Sequence, residues 1–170
     1  MTVYEVVVVG AGPVGCMVAF LTAKSGLKTL LVEEHKKVGS PVHCAGKVYS
    51  KAFEEFNLPK ESIIGKVRGA YFYAPNNLML EISKSEVDSY IVDRELFDRK
   101  LAEKALDVGA DITLSTKCYD LQKNNGSYTL KLKKQSQTLE VKAEVVVAVS
   151  YTHLRAHETS LHLVCRLLLE

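Results

Sequence analysis

The chain has little that would mark it for nucleic acid, membrane spanning or disulfide chemistry. Its formal net charge is only +2 over 170 residues, so no broad basic footprint for nucleic acid is present. No apolar run reaches the roughly 18 residues needed to cross a bilayer. Met1 leads directly into an apolar segment, so no signal peptide is expected. Four cysteines (Cys16, Cys44, Cys118, Cys165) form no CxxC pair. That usage fits a reducing cytoplasm better than a disulfide scaffold. Internal repeats and low-complexity segments are also missing. The remaining composition, 47% hydrophobic and 25% charged, is that of a globular protein with one domain of ordinary size.

What is present is concentrated at the N-terminus. Val6-Val7-Val8-Val9 reads as a buried strand, Gly10-Ala11-Gly12-Pro13-Val14-Gly15 as a turn into a helix, and Glu33 closes a second apolar run. Each part has a mechanical reason. Gly10 permits the tight turn, Gly12 lets backbone N–H groups approach a pyrophosphate, and Gly15 and Ala19 let the helix lie close on the sheet. The helix N-terminus offers unpaired donors and a partial positive charge to phosphates. Glu33, 18 residues past Gly15, is placed to accept hydrogen bonds from an adenosine ribose. A dinucleotide is the expected ligand.

The pattern predicts a strand over Val3–Val9, a helix over Val14–Ser25 stopped by Gly26, and a strand over Lys28–Glu33. A loop punctuated by glycine and proline follows, Val38-Gly39-Ser40-Pro41-Val42-His43-Cys44-Ala45-Gly46-Lys47. Next come a short helix over Lys51–Phe56 and strands over Val67–Tyr73, Leu78–Ile82 and Tyr90–Val92. Asp93 is the expected N-cap of a helix whose apolar stripe is Leu96, Phe97, Leu101, Ala105 and Leu106. Ile112–Leu114 resumes the sheet. Lys117–Lys123, Ser127–Lys133 and Leu139–Ala143 read as an antiparallel meander around the Asn124-Asn125-Gly126 turn, polar on one face. Glu144–Val149 is the last sheet strand.

A nicotinamide domain would continue with further βα units after its second strand. Here an excursion over about 40–90 and a meander interrupt the sheet. That order suits an FAD-binding domain over 1–149, of α/β class and Rossmann-like, with the excursion belonging partly to a second, substrate domain.

Composition breaks near Ser150. Residues 1–149 hold 17 Lys and 3 Arg, whereas 150–170 hold no Lys, 2 Arg and 3 His. Ser150-Tyr151-Thr152-His153-Leu154-Arg155-Ala156-His157-Glu158-Thr159 resembles a translated sequencing-adapter read-through. On that reading 150–170 is a non-native tail on a truncated gene product. Two alternatives stand beside it. Leu161, Val164, Leu167 and Leu168 have helical spacing, and His153 and His157 have the spacing of a metal pair, although no third ligand is evident. No metal site is expected.

Three blocks of sequence (Val6–Glu33, the Gly39–Gly46 loop, and Tyr90-Ile91-Val92-Asp93-Arg94-Glu95-Leu96-Phe97-Asp98) together resemble the geranylgeranyl reductase family of flavoproteins. The likeness is strongest to its archaeal digeranylgeranylglycerophospholipid reductase branch and extends over 1–149. The Pro-x-x-Cys loop with the Asp-Arg-x-x-Phe-Asp helix start is its most specific part. The resemblance implies a cytoplasmic FAD enzyme in peripheral contact with the membrane. Such enzymes reduce C=C bonds of geranylgeranyl chains on isoprenoid lipid precursors, drawing electrons from an external donor, NAD(P)H or ferredoxin.

Carried onto this sequence, Gly10, Gly12, Val14 and Gly15 would contact the pyrophosphate and Glu33 the ribose. Cys44, Ala45 and Lys47 would lie near the flavin, Arg94 would face the pyrophosphate side, and the Cys118 backbone would meet the adenine. Lys47 stands where the family pattern has a glycine. The family's second glycine-rich flavin segment and isoprenoid-binding domain do not occur in these 170 residues.

Individual residues carry their own arguments. A basic side chain at a helix start opposes the macrodipole, and a phosphate would explain Arg94 there. An ordinary thiol is mostly protonated at neutral pH, so Cys44 is the candidate catalytic proton donor. The plainer reading of Cys44 is a small apolar loop residue. Cys16 is expected to pack, and His43 to sit on the surface. Two other functions remain open. One is a flavin monooxygenase or halogenase of the same fold, which oxygen uptake would reveal. The other is a truncated, non-catalytic fragment.

Overall fold

The computed structural model describes residues 2–124 and 126–149. The expectations for 150–170, namely the tail helix and the His153/His157 pair, lie outside the described residues, as do Cys165 and the central residue of the Asn124–Gly126 turn.

Strand β1 (Thr2–Val9) runs through the glycine turn into α1 (Pro13–Lys24) and then β2 (Thr29–Val32). An excursion contributes β3 (Lys47–Tyr49), α2 (Ser50–Glu55), β4 (Ile63–Val67), β5 (Gly69–Tyr73), β6 (Met79–Ser83) and β7 (Ser89–Val92). The chain returns through α3 (Arg94–Asp107) to β8 (Asp111–Thr113), β9 (Thr116–Asn124), β10 (Ser127–Lys134) and β11 (Gln137–Ala148). Six strands form the main sheet in the order β8-β2-β1-β11-β10-β9. The first four are mutually parallel, and β10 and β9 add antiparallel. The excursion builds a separate three-stranded sheet, β3-β7-β4, and a two-stranded ribbon, β5-β6.

The valine run at the end of β1 follows from its position. Side chains alternate across a strand, and both faces of β1 are covered. Val6 and Val8 pack in a cluster with Cys16, Ala19, Phe97, Leu101 and Ala105 of the helices. Val7 and Val9 pack in a second cluster with Leu30, Val32, Leu130, Leu132 and Val141. Helix α1 buries only small residues, Gly15, Cys16, Ala19 and Ala23, which brings its axis close to the sheet. Helix α3 buries Phe97, Leu101, Ala102 and Ala105. No helix among the described residues is long and apolar enough to cross a membrane.

Three expectations are corrected. Leu106 is 52% exposed, because it lies about 100° around the helix from the buried Ala105. The predicted strand Val67–Tyr73 breaks at Arg68: Val67 pairs in the β4-β7 ladder, whereas Gly69–Tyr73 pairs with β6. The predicted strands Leu139–Ala143 and Glu144–Val149 are one strand. β11 pairs antiparallel with β10 along Gln137–Ala143 and parallel with β1 along Val141–Ala148. The switch from alternation to an apolar run marks where β11 leaves β10 and continues along β1, not a chain break. Strands β3 and β4 have no counterpart in the sequence reading of that stretch.

Candidate functional site

The glycine turn emerges from the middle of the parallel strands. Gly10 donates its N–H to the Val32 carbonyl at 2.8 Å, which ties the turn to β2. Helix α1 starts at Pro13 with Gly12 in the N-cap position. Among the described residues no side chain caps it, and no acid occupies its first turn. Its first N–H groups and the positive end of its dipole are therefore left for an anion. A Cβ added at Gly12 would meet nothing within 4 Å, and Val14 beside it is exposed. Gly15 is the opposite case. A Cβ there would collide with the Gly10 carbonyl oxygen and stand 2.9 Å from Val149 Cγ2. One glycine keeps space open, and the other closes the helix onto the strand.

Glu33 follows β2, and its carboxylate is largely buried. Oε2 accepts the Ala11 N–H at 2.7 Å, and Oε1 accepts the His35 backbone N–H at 2.9 Å. The His35 ring Nδ1 lies 2.6 Å from the same Oε1. Glu33 thus braces the glycine turn, a role the sequence reading did not identify. A shallow cleft beside it is lined by Val9, Gly10, Glu33, Glu34, Lys117 and Cys118, among others. Lys117 Nζ reaches Glu34 Oε2 at 3.2 Å. Cys118 arrives because β9 crosses the end of β2, where Thr116 N–H bonds the Glu33 carbonyl at 2.8 Å. Burial pushes the Cys118 thiol up to about 11, so its side chain is an inert filler.

The Cys44 loop lies over the start of α3. Gly46 has φ +73°, and a Cβ there would be 2.6 Å from the Val92 carbonyl oxygen and 3.2 Å from Arg94 Cγ. Asp93 caps α3 as expected, accepting the Leu96 N–H at 3.1 Å. The next residue, Arg94, is engaged from Nε (3.0 Å) and Nη2 (2.8 Å) by both carboxylate oxygens of Asp98. The Arg94 side chain is 18% exposed and that of Asp98 is 3%. The Asp98 hydrogen bonds, with a smaller contribution from the nearby Cys44 sulfur, hold the Arg94 guanidinium in its charged form. Burial pushes the Asp98 carboxyl above the ordinary range, and Arg94 opposes that shift.

His43, Cys44 and Ala45 are exposed. Lys47 is exposed too, pairs in β3 with Ile91, and has its Nζ 3.9 Å from Asp88 Oδ2.

The structure therefore sorts the expected residues into two groups. Gly10, Glu33 and Cys118 line one cleft, with Gly12, Val14 and Gly15 beside it. Arg94, Cys44, Ala45 and Lys47 belong to the loop and α3. Cys16 connects the two groups: its Sγ lies 3.3 Å from the Ala11 carbonyl oxygen and 4.0 Å from that of Asp98. Burial pushes its thiol up to about 12, in keeping with packing. Asp98 closes the Asp-Arg-x-x-Phe-Asp motif but was given no role from sequence, and His35 was not singled out. The i, i+4 spacing of Arg94 and Asp98 was a readable signal. An uncapped helix end, an open Gly12 and an acid at the end of β2 fit the adenosine and pyrophosphate half of FAD.

Comparison with known proteins agrees. The model of the FAD dependent oxidoreductase family matches residues 5–152. The digeranylgeranylglycerophospholipid reductase of Methanococcus vannielii is 34% identical over 145 residues, covering 85% of this chain and 37% of that protein. The crystal structure of a geranylgeranyl bacteriochlorophyll reductase-like protein from Thermoplasma acidophilum superposes with a TM-score of 0.78 at 32% identity, over 87% of this chain and 39% of that one. A myxobacterial chondrochloren halogenase shares the fold at 20% identity, with a TM-score of 0.71, 91% of this chain and 39% of that one covered. The chain spans less than two fifths of the length of the curated relatives it matches, the Methanococcus vannielii reductase included. It belongs to the FAD dependent oxidoreductase family.

Proposed function

We propose that this chain is the FAD-binding portion of a reductase that saturates C=C bonds in geranylgeranyl chains of lipid precursors. The observation that carries the reading is the pairing of a fitting dinucleotide cleft with the Cys44 loop seated on Arg94. The halogenase and monooxygenase neighbours share the fold at only 18–20% identity, against 32–34% for the reductases, which also favours a reductase. Residues 1–149 form the cofactor domain in this reading, and about 40–90 contributes to the substrate domain.

Gly10, Gly12, Val14 and Gly15 present backbone donors to the pyrophosphate, and Glu33 holds the ribose while bracing the turn. Arg94 offers its remaining donors to the phosphates. Ala45 and Lys47 shape the loop beside the flavin, and the Cys118 backbone borders the adenine. FAD, when bound, supplies hydride chemistry. The exposed Cys44 thiol supplies the proton that the second alkene carbon needs, and is then reprotonated from solvent. The electron donor is NAD(P)H or ferredoxin, and contact with the lipid is peripheral at a cytoplasmic membrane surface.

The test uses a full-length protein carrying this segment, reduced anaerobically and incubated with a geranylgeranyl glycerophospholipid. The expected result is a lipid heavier by one dihydrogen per reduced double bond, with Cys44→Ser slowing turnover. Oxygen consumption with no saturated lipid would refute the reading in favour of an oxygenase or halogenase.

A further inference from the structure

A buried ion pair is seldom a net source of stability, because desolvation offsets the attraction. The Arg94–Asp98 pair is such a case, and it stands where a cation also opposes the helix dipole. Asp98 is nonetheless among the most enclosed acids in the fold, with its side chain 3% exposed. Three elements converge on it. Its carboxylate takes two donors from Arg94. Its carbonyl oxygen faces Cys16 Sγ of α1, whose other neighbour is the Ala11 carbonyl oxygen of the glycine turn. Its Cβ would be 3.1 Å from a Cβ built on Gly39, at the head of the Cys44 loop. A guanidinium has five N–H donors in a rigid fork. Asp98 engages Nε and Nη2, the Cys44 sulfur stands nearby with a smaller effect, and among the described residues no oxygen other than those of Asp98 bonds the group.

We infer that Asp98 is a positioning residue: its carboxylate fixes the orientation of Arg94 beneath the Cys44 loop, so that the remaining Arg94 donors are held for the phosphates of the dinucleotide. This rests on the dinucleotide reading given above. An unclamped arginine must lose side-chain entropy when it meets a phosphate, whereas a clamped one has lost it on folding. Asp98 thus acts on the ligand only through Arg94. It makes no contact with the ligand itself.

That dependence is testable by a double-mutant cycle on ligand affinity. The probe is ADP, which carries the ribose and pyrophosphate, titrated calorimetrically into the 170-residue chain. Asp98→Asn is expected to weaken ADP about tenfold or more, the scale of one charge-assisted hydrogen bond. Arg94→Met is expected to weaken it by a similar factor, and the double variant by no more than either single. Asp98→Glu, which keeps the charge, is expected to stay within about threefold of the parent chain. Independent effects that multiply in the double variant, or an unchanged affinity in Asp98→Asn, would overturn the inference while leaving the dinucleotide reading intact. A parent chain that binds no ADP would overturn both.

Asp98→Asn leaves a buried cation unpaired and could unfold the chain. The double variant removes both charges and is expected to fold. Its affinity relative to Arg94→Met alone then decides the matter: equality supports the inference, and a further loss refutes it.

Discussion

Replacing Gly15 by alanine adds one methyl group at the point where α1 touches β1. The added Cβ would overlap the Gly10 carbonyl oxygen, with Gly10 C at 3.0 Å and Val149 Cγ2 at 2.9 Å. Two of those neighbours are backbone atoms of the turn, so no rotamer change relieves the overlap and α1 must move away from the sheet. Overpacking of a well-packed interior costs about 1–3 kcal/mol and sometimes more. The upper end applies here, because the obstacle is main chain. For a domain of this size about 3 kcal/mol lowers the melting temperature by roughly 6–12 °C.

Gly12→Ala is the matched control. Its backbone, φ −71° and ψ 178°, is open to any residue, and the new Cβ would face empty space. Stability should stay within about 1 kcal/mol, since alanine restricts the unfolded chain but is a poorer N-cap. The same methyl would occupy the space needed by a pyrophosphate, so ADP affinity should fall. Circular dichroism melting and ADP titration of both variants check the pair. The reasoning is refuted if Gly15→Ala melts within about 2 °C of the parent, or if Gly12→Ala proves the less stable of the two.

Three further outcomes are expected. Leu101→Ala, at a site 1% exposed, should cost about 2–5 kcal/mol in urea unfolding. Leu106→Ala on the same helix should change stability by less than about 0.5 kcal/mol, and equal losses would mean that α3 faces the other way. The buried Cys118 and Cys16 thiols, raised to about 11 and about 12, stay protonated in the folded state well above the ordinary thiol value. The unfolded chain then binds fewer protons, so stability should be full below about pH 8.5 and decline as pH rises toward 11, at up to about 1.4 kcal/mol per pH unit per thiol. A urea midpoint that stays level from pH 8 to pH 10.5 would contradict this. With Cys165 replaced by serine, iodoacetamide at pH 8 should label Cys44 in the native chain, and Cys16 and Cys118 only after denaturant is added. Peptide mass spectrometry reads the difference, and native labelling of Cys16 would show that α1 does not pack as described.

Much of the cofactor half was legible because its signals are local. A valine run, a glycine turn, a helix of small residues and an acid at a fixed distance each follow from backbone geometry within a few turns of chain, and together they define the β1-α1-β2 unit. The cap at Asp93 was equally open to reading. The sequence by itself therefore determined the dinucleotide class and the strand-turn-helix that serves it.

Tertiary structure decided what depends on partners distant along the chain. Whether Leu139–Ala143 and Glu144–Val149 are two strands or one depends on β1 and β10 flanking the same segment on opposite edges, and no periodicity encodes that. Arg94 was matched to a phosphate and to no protein partner, because a helix start says nothing of a neighbour's burial. Only the packing of α1 and the Gly39 loop over α3 closes Asp98 away from water and turns an ordinary i, i+4 pair into a clamp. Glu33, just past β2, likewise does more than its spacing announced, because the approach of the glycine turn gives its carboxylate the Ala11 N–H to hold. Local patterns specify elements, because each needs only its own few residues. The site is made where elements meet, and there desolvation and close approach, set by the whole fold, determine what a side chain can do.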